Sequence, residues 1–386
     1  MSTPGSLAPI RALSAEMTAW RRQIHAWPEL GFEEVRTSAL VAEVLASLGL
    51  EVHDGLGGTG VVAVIDSGKP GPRIGLRADM DALPMQEQND VPYRSQRDGT
   101  AHTCGHDGHT AALLGCAKYL VAHPPASGSV ALIFQPAEEG GRGAIKMIAD
   151  GLFERWPCDE VYAFHNMPLL GFGRASVRPG ATLQSLAVFE IAIEGLGGHA
   201  AAPHKANDPL QVAARLAVEI SAIVGRHIDP MEAALINVGQ ISAGTTHNII
   251  PSSATLSGTI RALSTTVHEA LVDRLRRLCE AQALLSGCEV KLTIPHSCPP
   301  CVNGVEQARL AAQALEEVLG EGMVETDRRA YPFSDDFSYM LERWPGAYLF
   351  IGQDSAMCHH PTFNFDDELL PVAASVFARI VRHRLG

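Results

Sequence analysis

Five short apolar runs, at 60–65, 73–77, 130–134, 160–164 and 347–351, alternate with stretches of helical periodicity. Strands that alternate with helices need crossover connections, and crossovers make parallel pairs whose two faces must both be covered. The spacing predicts helices over 14–27, 33–49, 107–122 and 141–151. Ser14 is read as the first N-cap, Pro28 as a stop and Gly49 as the close of the second helix. The expected fold class is therefore α/β, a mixed but mostly parallel sheet with helices on both faces.

The middle of the chain has a different rhythm. Residues 186–194 alternate like a strand, and 208–226 read as a helix opened by Asp208 and Pro209. Strands at 233–241 and 253–262, a helix at 265–285 and a strand at 288–295 follow. The order β-α-β-β-α-β is that of a split βαβ, ferredoxin-like α+β unit. The expected organisation is a discontinuous α/β domain, 1–183 plus 297–386, with an inserted domain at 184–296.

Composition narrows the function. The 386 residues carry 30 basic and 43 acidic side chains, a net charge of -13, which argues against nucleic acid or an anionic membrane as partner. No apolar run approaches the ~20 residues of a membrane span. Residues 1–17 lack a basic region followed by an apolar one, so no signal peptide and a cytoplasmic location are expected. The 8 Cys are scattered, which disfavours a disulfide framework. Cys116, Cys158 and Cys279 read as core residues, and Cys298-Pro-Pro-Cys301 as an inert segment where the chain returns from the insertion.

The chemistry gathers at the strand ends. Asp79 follows the run 73–77, Glu138 and Glu139 follow 130–134, His165 follows 160–164, and His359 lies in the loop after 347–351. In open α/β sheets that edge is where sites form. Cys104 and His106, in His102-Thr-Cys-Gly-His-Asp-Gly-His109, come from the start of the helix near 107, where a helix N-terminus is expected to lower the thiol pKa. A thiol, imidazoles and a spare carboxylate suit a hydrolytic metal site better than a closed structural one. His109 reads as a helix residue beside the site, and His25 as structural.

Six stretches together resemble one family: His25-Ala-Trp-Pro-Glu-Leu-Gly-Phe-Glu-Glu34, Arg77-Ala-Asp-Met-Asp-Ala-Leu-Pro84, His102 to His109, Phe134-Gln-Pro-Ala-Glu-Glu-Gly140, Gly197-Gly-His-Ala-Ala201 and Thr246-His-Asn-Ile-Ile-Pro251. The family is the hippurate hydrolase, N-acyl-amino-acid amidohydrolase and auxin-conjugate hydrolase group of dimetal peptidases, and the resemblance runs over essentially the whole chain. It implies two divalent ions (Mn, Zn, Co or Ni) held by Cys104, His106, Glu139, His165 and His359. It also implies Glu138 as general base and Asp79 as the carboxylate that orients the centre. In the inserted domain, the resemblance implies that His199 reaches a partner subunit's site and that Asn248 and Arg261 grip a substrate carboxylate. The implied partners are a small N-acyl amino acid and a second copy in a homodimer. A dipeptidase or carboxypeptidase on the same site, or a catalytically dead relative acting as a binding module, are the competing readings. In Cys358-His359-His360-Pro361, alignment on the proline selects His359, with His360 as its rival.

Overall fold

The computed structural model describes residues 7–140 and 142–386. Residues 1–6 of the segment searched for a signal peptide, and Gly141 at the start of the helix expected over 141–151, lie outside the described residues. The chain divides into two compact units. One comprises 1–182, 302–329 and 335–386; the other comprises 183–301 and 330–334.

The larger unit is built on an eight-stranded sheet. Its strands run in the order Val52–Leu56, Gly60–Asp66, Ser129–Gln135, Arg73–Asp79, Glu160–Met167, Gly346–Gly352, Ala175–Ser176 and Val324–Glu325. The four central strands, from Ser129–Gln135 to Gly346–Gly352, are mutually parallel. Gly60–Asp66 joins antiparallel to Ser129–Gln135, and Ala175–Ser176 joins antiparallel to Gly346–Gly352. The sheet is thus mixed and mostly parallel at its centre, in agreement with the fold class read from the sequence.

Every residue of Ser129–Gln135 and of Gly346–Gly352 is buried. Leu76, Leu132, Phe164 and Leu349 share a core with helices His106–Ala122, Val305–Leu319 and Leu369–Leu385. Successive side chains of a strand face opposite sides. Arg77, Asp79, Gln135, His165 and Tyr348 therefore fall on the other side from that apolar core. Registry lines them up, because Arg77 and Tyr348 both pair with Ala163 and Asp79 pairs with Gln135. One face of the sheet is apolar, and the other carries a buried polar row that ends at the strands' carboxyl edge.

Some local expectations are corrected. Ser14 is the first residue of helix Ser14–Ala26, not its cap, and its hydroxyl donates back to Arg11 O at 2.8 Å. The short helix Ala8–Arg11 just before it leaves no extended residue to act as a cap. The second helix begins at Val35, because Glu34 is buried and turned to other work. Asp208 does cap its helix, accepting from Leu210 N at 3.0 Å.

The smaller unit is a four-stranded antiparallel sheet in the order Ala234–Ala243, Ser253–Ala262, Leu186–Glu194 and Glu289–Cys298. Ala187, Phe189, Ile191 and Ile193 alternate inward, onto a core with Leu216 and Ile220 of helix Pro209–His227 and Leu271 and Leu275 of helix Thr265–Ser286. Period 2 in the strand meets period 3.6 in the helices, and a single apolar layer results.

Candidate metal centre

The residues at the carboxyl edge of the large sheet converge. Cys104 Sγ lies 3.3 Å from His165 Nε2, and His359 Nε2 lies 3.2 Å from Glu139 Oε1. Donor atoms of Cys104, His106 and His165 all fall within 4.8 Å of one another, as do those of Cys104, Glu139 and His359, and those of His106, Glu138 and Glu139. The three groups share members, so one continuous cluster holds all six residues. Of the two rival histidines, His359 approaches Glu139. His360 is exposed, and its Nδ1 lies 2.8 Å from Thr362 Oγ1 within its own turn.

The rings of His106 and His165 are each aimed through the other nitrogen. His106 Nδ1 lies 3.1 Å from Asp81 Oδ1 and 3.0 Å from Asp81 O, while His165 Nδ1 lies 2.7 Å from Asn166 O. Such contacts hold the ring and turn Nε2 toward the cluster. His106 Nε2 is buried and has no hydrogen-bond partner, with carboxylate oxygens of Asp79 and Glu138 at 3.8 and 3.9 Å. A buried nitrogen without a bond, ringed by carboxylates too far to accept one, suits a cation better than a proton. The residues present therefore fit divalent ions.

Asp81, which sequence reasoning passed over in favour of Asp79, is the carboxylate that aims His106. Its second oxygen accepts from Glu139 N at 3.0 Å. Asp79 stands on the other side of His106, and their donor atoms form a further group with that of His109. Arg77 Nη1 donates to its Oδ2 at 2.6 Å, and His109 Nδ1 lies 2.6 Å from its Oδ1. The Asp-x-Asp spacing was the available signal, since residues two apart at a strand end share a side.

The turn carrying Glu138 is held from several sides. Ala137 has φ 50, a left-handed backbone that a non-glycine residue adopts at a cost. Ala137 N donates to Glu34 Oε1 at 2.8 Å, and the Thr59 hydroxyl donates to Glu34 Oε2 at 2.5 Å. A Cβ on Gly31 would stand 2.9 Å from that of Ala137, so the loop preceding Glu34 packs directly on the turn. Glu34 is also why helix Val35–Ser47 starts late. Gly105 is required for a related reason: its φ is 107 and a Cβ there would meet Asn166 Oδ1 at 2.2 Å.

Beneath Glu138 lies a buried charge network. Arg77 Nη2 reaches Asp335 Oδ1 at 3.2 Å and Asp336 Oδ1 at 3.3 Å, and Tyr348 donates to Asp335 Oδ2 at 2.5 Å. Glu138, Asp335 and Asp336 form a further carboxylate group within 4.8 Å. Burial pushes the Glu138 carboxyl well above the usual range, and the Asp335 and Glu139 charges push it further. Glu139 goes the other way: burial would raise it, but the hydrogen bond with His359 and the His106 charge hold it down.

One expectation fails here. The sequence expects Cys104 to be a thiol acidified by a helix N-terminus. Instead the hydrogen bond with Cys358, burial and the charge of Glu139 hold it well above its ordinary range. The partial charge of a helix end is smaller than the full charges of two nearby carboxylates. A cation in the cluster would reverse that balance.

The structure does not bring the smaller unit's candidates into so tight a group. His199 is exposed in a two-stranded ribbon, paired with Ile249, and its Nδ1 accepts from Ala201 N at 3.0 Å. Ala200 N donates to Asn248 O at 3.1 Å, so Asn248, in the turn just before strand Ile249–Ile250, lies close to His199. Arg261 sits on a separate strand and donates to Pro332 O at 3.0 Å.

Comparison with known proteins gives the class. Residues 75–383 match the model of peptidase family M20/M25/M40. The chain is 40% identical to a hippurate hydrolase of Campylobacter jejuni, over 95% of this chain and 96% of that protein. It is 38% identical to a thermostable carboxypeptidase of Saccharolobus solfataricus, over 93% and 92%. A Bacillus subtilis structure described as a dinuclear metal binding peptidase of the M20 family superposes with a TM-score of 0.83 at 31% identity, covering 97% of this chain and 99% of that one. The chain belongs to peptidase family M20/M25/M40, and it is an amidohydrolase. No helix among the described residues is long and apolar enough to cross a membrane.

Proposed function

We propose that this enzyme hydrolyses the amide bond of N-acyl amino acids, releasing a carboxylic acid and a free amino acid. The observation that carries the reading is the shared donor cluster with an unbonded His106 Nε2 and a separate carboxylate, Glu138, at its edge. Cys104, His106, Glu139, His165 and His359 would hold two divalent ions, Mn, Zn, Co or Ni. The relative described as a dinuclear metal binding peptidase supports two ions, and the hippurate hydrolase supports an N-acyl substrate. When bound, such ions lower the pKa of water and polarise an amide carbonyl.

The side chains do the rest. Asp81 and Asn166 O aim the rings of His106 and His165. Glu138 takes the proton of the attacking water and delivers it to the leaving nitrogen. Its raised pKa suits that duty, because a stronger base accepts the proton more readily. Asp79, braced by Arg77, holds His109 alongside.

In the smaller unit, which we read as a dimerisation and lid domain over about 184–296, His199 would serve the site of a second copy. Asn248 and Arg261 would bind the substrate carboxylate, for which the planar guanidinium is suited. The carboxypeptidase relative favours a second reading, cleavage of a peptide's last bond at the same centre.

The test is amino-acid release from N-acetyl, N-benzoyl and N-indoleacetyl amino acids and from dipeptides. Chelator-stripped enzyme would be assayed with Mn, Zn, Co or Ni restored. Release from the acyl series only after a metal is restored is the expected result. Turnover of dipeptides alone would transfer the enzyme to the second reading. A stripped enzyme as active as the restored one would sink the metal assignment.

A further inference from the structure

Cys358 has no part in the chemistry above, yet it touches it. Its Sγ lies 3.6 Å from the carbonyl oxygen of Cys104 and 3.6 Å from Asn166 Nδ2. The two backbones are clamped as well, because His359 N donates to Thr103 O at 2.7 Å. Two cysteines 254 positions apart in sequence are therefore held beside one another by the main chain of both segments. Access differs between them. Of the eight cysteines, Cys358 alone is half-buried, while Cys104 and the other six are buried.

We propose that Cys104 and Cys358 are an oxidation site for hydrogen peroxide and small organic hydroperoxides, closing to a disulfide that disarms the metal centre. Cys358, the more accessible sulfur, attacks a peroxide oxygen. The O–O bond breaks, one water (or alcohol) leaves, and a sulfenic acid forms on Cys358. The Cys104 sulfur then attacks the Cys358 sulfur, the S–O bond breaks and a water leaves. Each thiol sulfur gives up one electron, the peroxide takes two, and both thiol protons end in water. A disulfide sulfur is not a thiolate, so Cys104 drops out of both donor groups to which it belongs. That last consequence rests on the proposed ligand role of Cys104; the disulfide itself does not.

The experiment uses metal-loaded enzyme, purified reduced and freed of reductant, then treated with a few equivalents of hydrogen peroxide. Two of the 8 thiols per chain should disappear. The peptides carrying Cys104 and Cys358 should become linked, with fragmentation separating Cys104 from Cys116. Metal should pass to a chromogenic chelator in step with the cross-link, and dithiothreitol should undo both changes. Cys358→Ser should form no cross-link and keep its metal at the same dose. A disulfide between any other pair, or a Cys104 thiol that still alkylates after Cys358 has been oxidised, would overturn the proposal. A Cys104–Cys358 bond with the metal fully retained would uphold the redox pair and sink the ligand role of Cys104, so the two readings fail separately.

Discussion

The larger unit buries its polar machinery and the smaller one displays it. Arg77, Asp79, Asp81, His106, His109, Asp335 and Asp336 are each at most 4% exposed, and every one is bonded to another polar group. In the smaller unit the core is apolar, and His199 and Asn248 stand in solvent on a ribbon bonded only locally. The first arrangement locks geometry, because each side chain is braced by a neighbour that is itself braced. The second leaves side chains free to meet something that arrives later. A hydrolytic centre needs the first, and recognition that includes a moving substrate tolerates the second.

Four predictions separate these roles, beginning with the largest effect. Glu138→Gln should lower kcat/KM by about 10²–10⁴-fold, the usual span for a general base, with metal content and melting temperature unchanged. A parallel loss of metal would make Glu138 a ligand instead. Arg77→Met should cost roughly 3–5 kcal/mol, because Asp79, Asp335 and Asp336 lose their buried counter-charge. Urea unfolding measures it, and a change under ~1 kcal/mol would mean the carboxylates simply take up protons.

The third concerns His25, which lies 2.8 Å from Asp107 Oδ2 and 3.1 Å from Glu87 Oε1. Burial pulls its pKa down, but the hydrogen bonds to Asp107 and Glu87 outweigh burial and the nearby Arg21, pushing it up to about 9 from an ordinary 6.5. Folded protein thus binds this proton more tightly than unfolded protein does. The stabilisation is complete below pH 6.5 and disappears as pH rises through about 9; its size is roughly 3 kcal/mol. The melting temperature should fall across that window, and His25→Gln should flatten the fall. An unchanged slope in the variant would assign it to another group.

The smallest stability effect belongs to the smaller unit. His199→Ala and Arg261→Gln should each shift stability by no more than ~0.5 kcal/mol, as at other sites outside a buried network. Both should still impair turnover, His199→Ala chiefly in kcat and Arg261→Gln chiefly in KM. Mixing His199→Ala with Glu138→Gln and reassembling the subunits should restore part of the activity. No recovery in verified heterodimers would confine His199 to its own subunit or remove it from catalysis.

Local pattern was enough for much of the layout. Alternation within 186–194, the proline after Asp208 and the apolar runs each depend on neighbours a few residues away, so their strands and helices could be read directly. The strand-end rule took Asp79, Glu138, Glu139, His165 and His359 to one edge because that rule needs only order along the chain. What the pattern missed lies in partnerships across distance. Asp81 rather than Asp79 aims His106, because only the folded strand end shows which carboxylate meets Nδ1. Arg77 finds Asp335, in the loop before helix Ser338–Leu341, across 258 positions, and no periodicity carries that information. For Cys104, the groups that oppose acidification by its helix are Cys358, Glu138 and Glu139 from other segments. Hydrophobic periodicity acts over one turn or one pleat, whereas electrostatics and ligation act between whichever groups the fold places within a few ångströms. The chain's own order announced which residues would gather, and three-dimensional packing alone chose which of them touch.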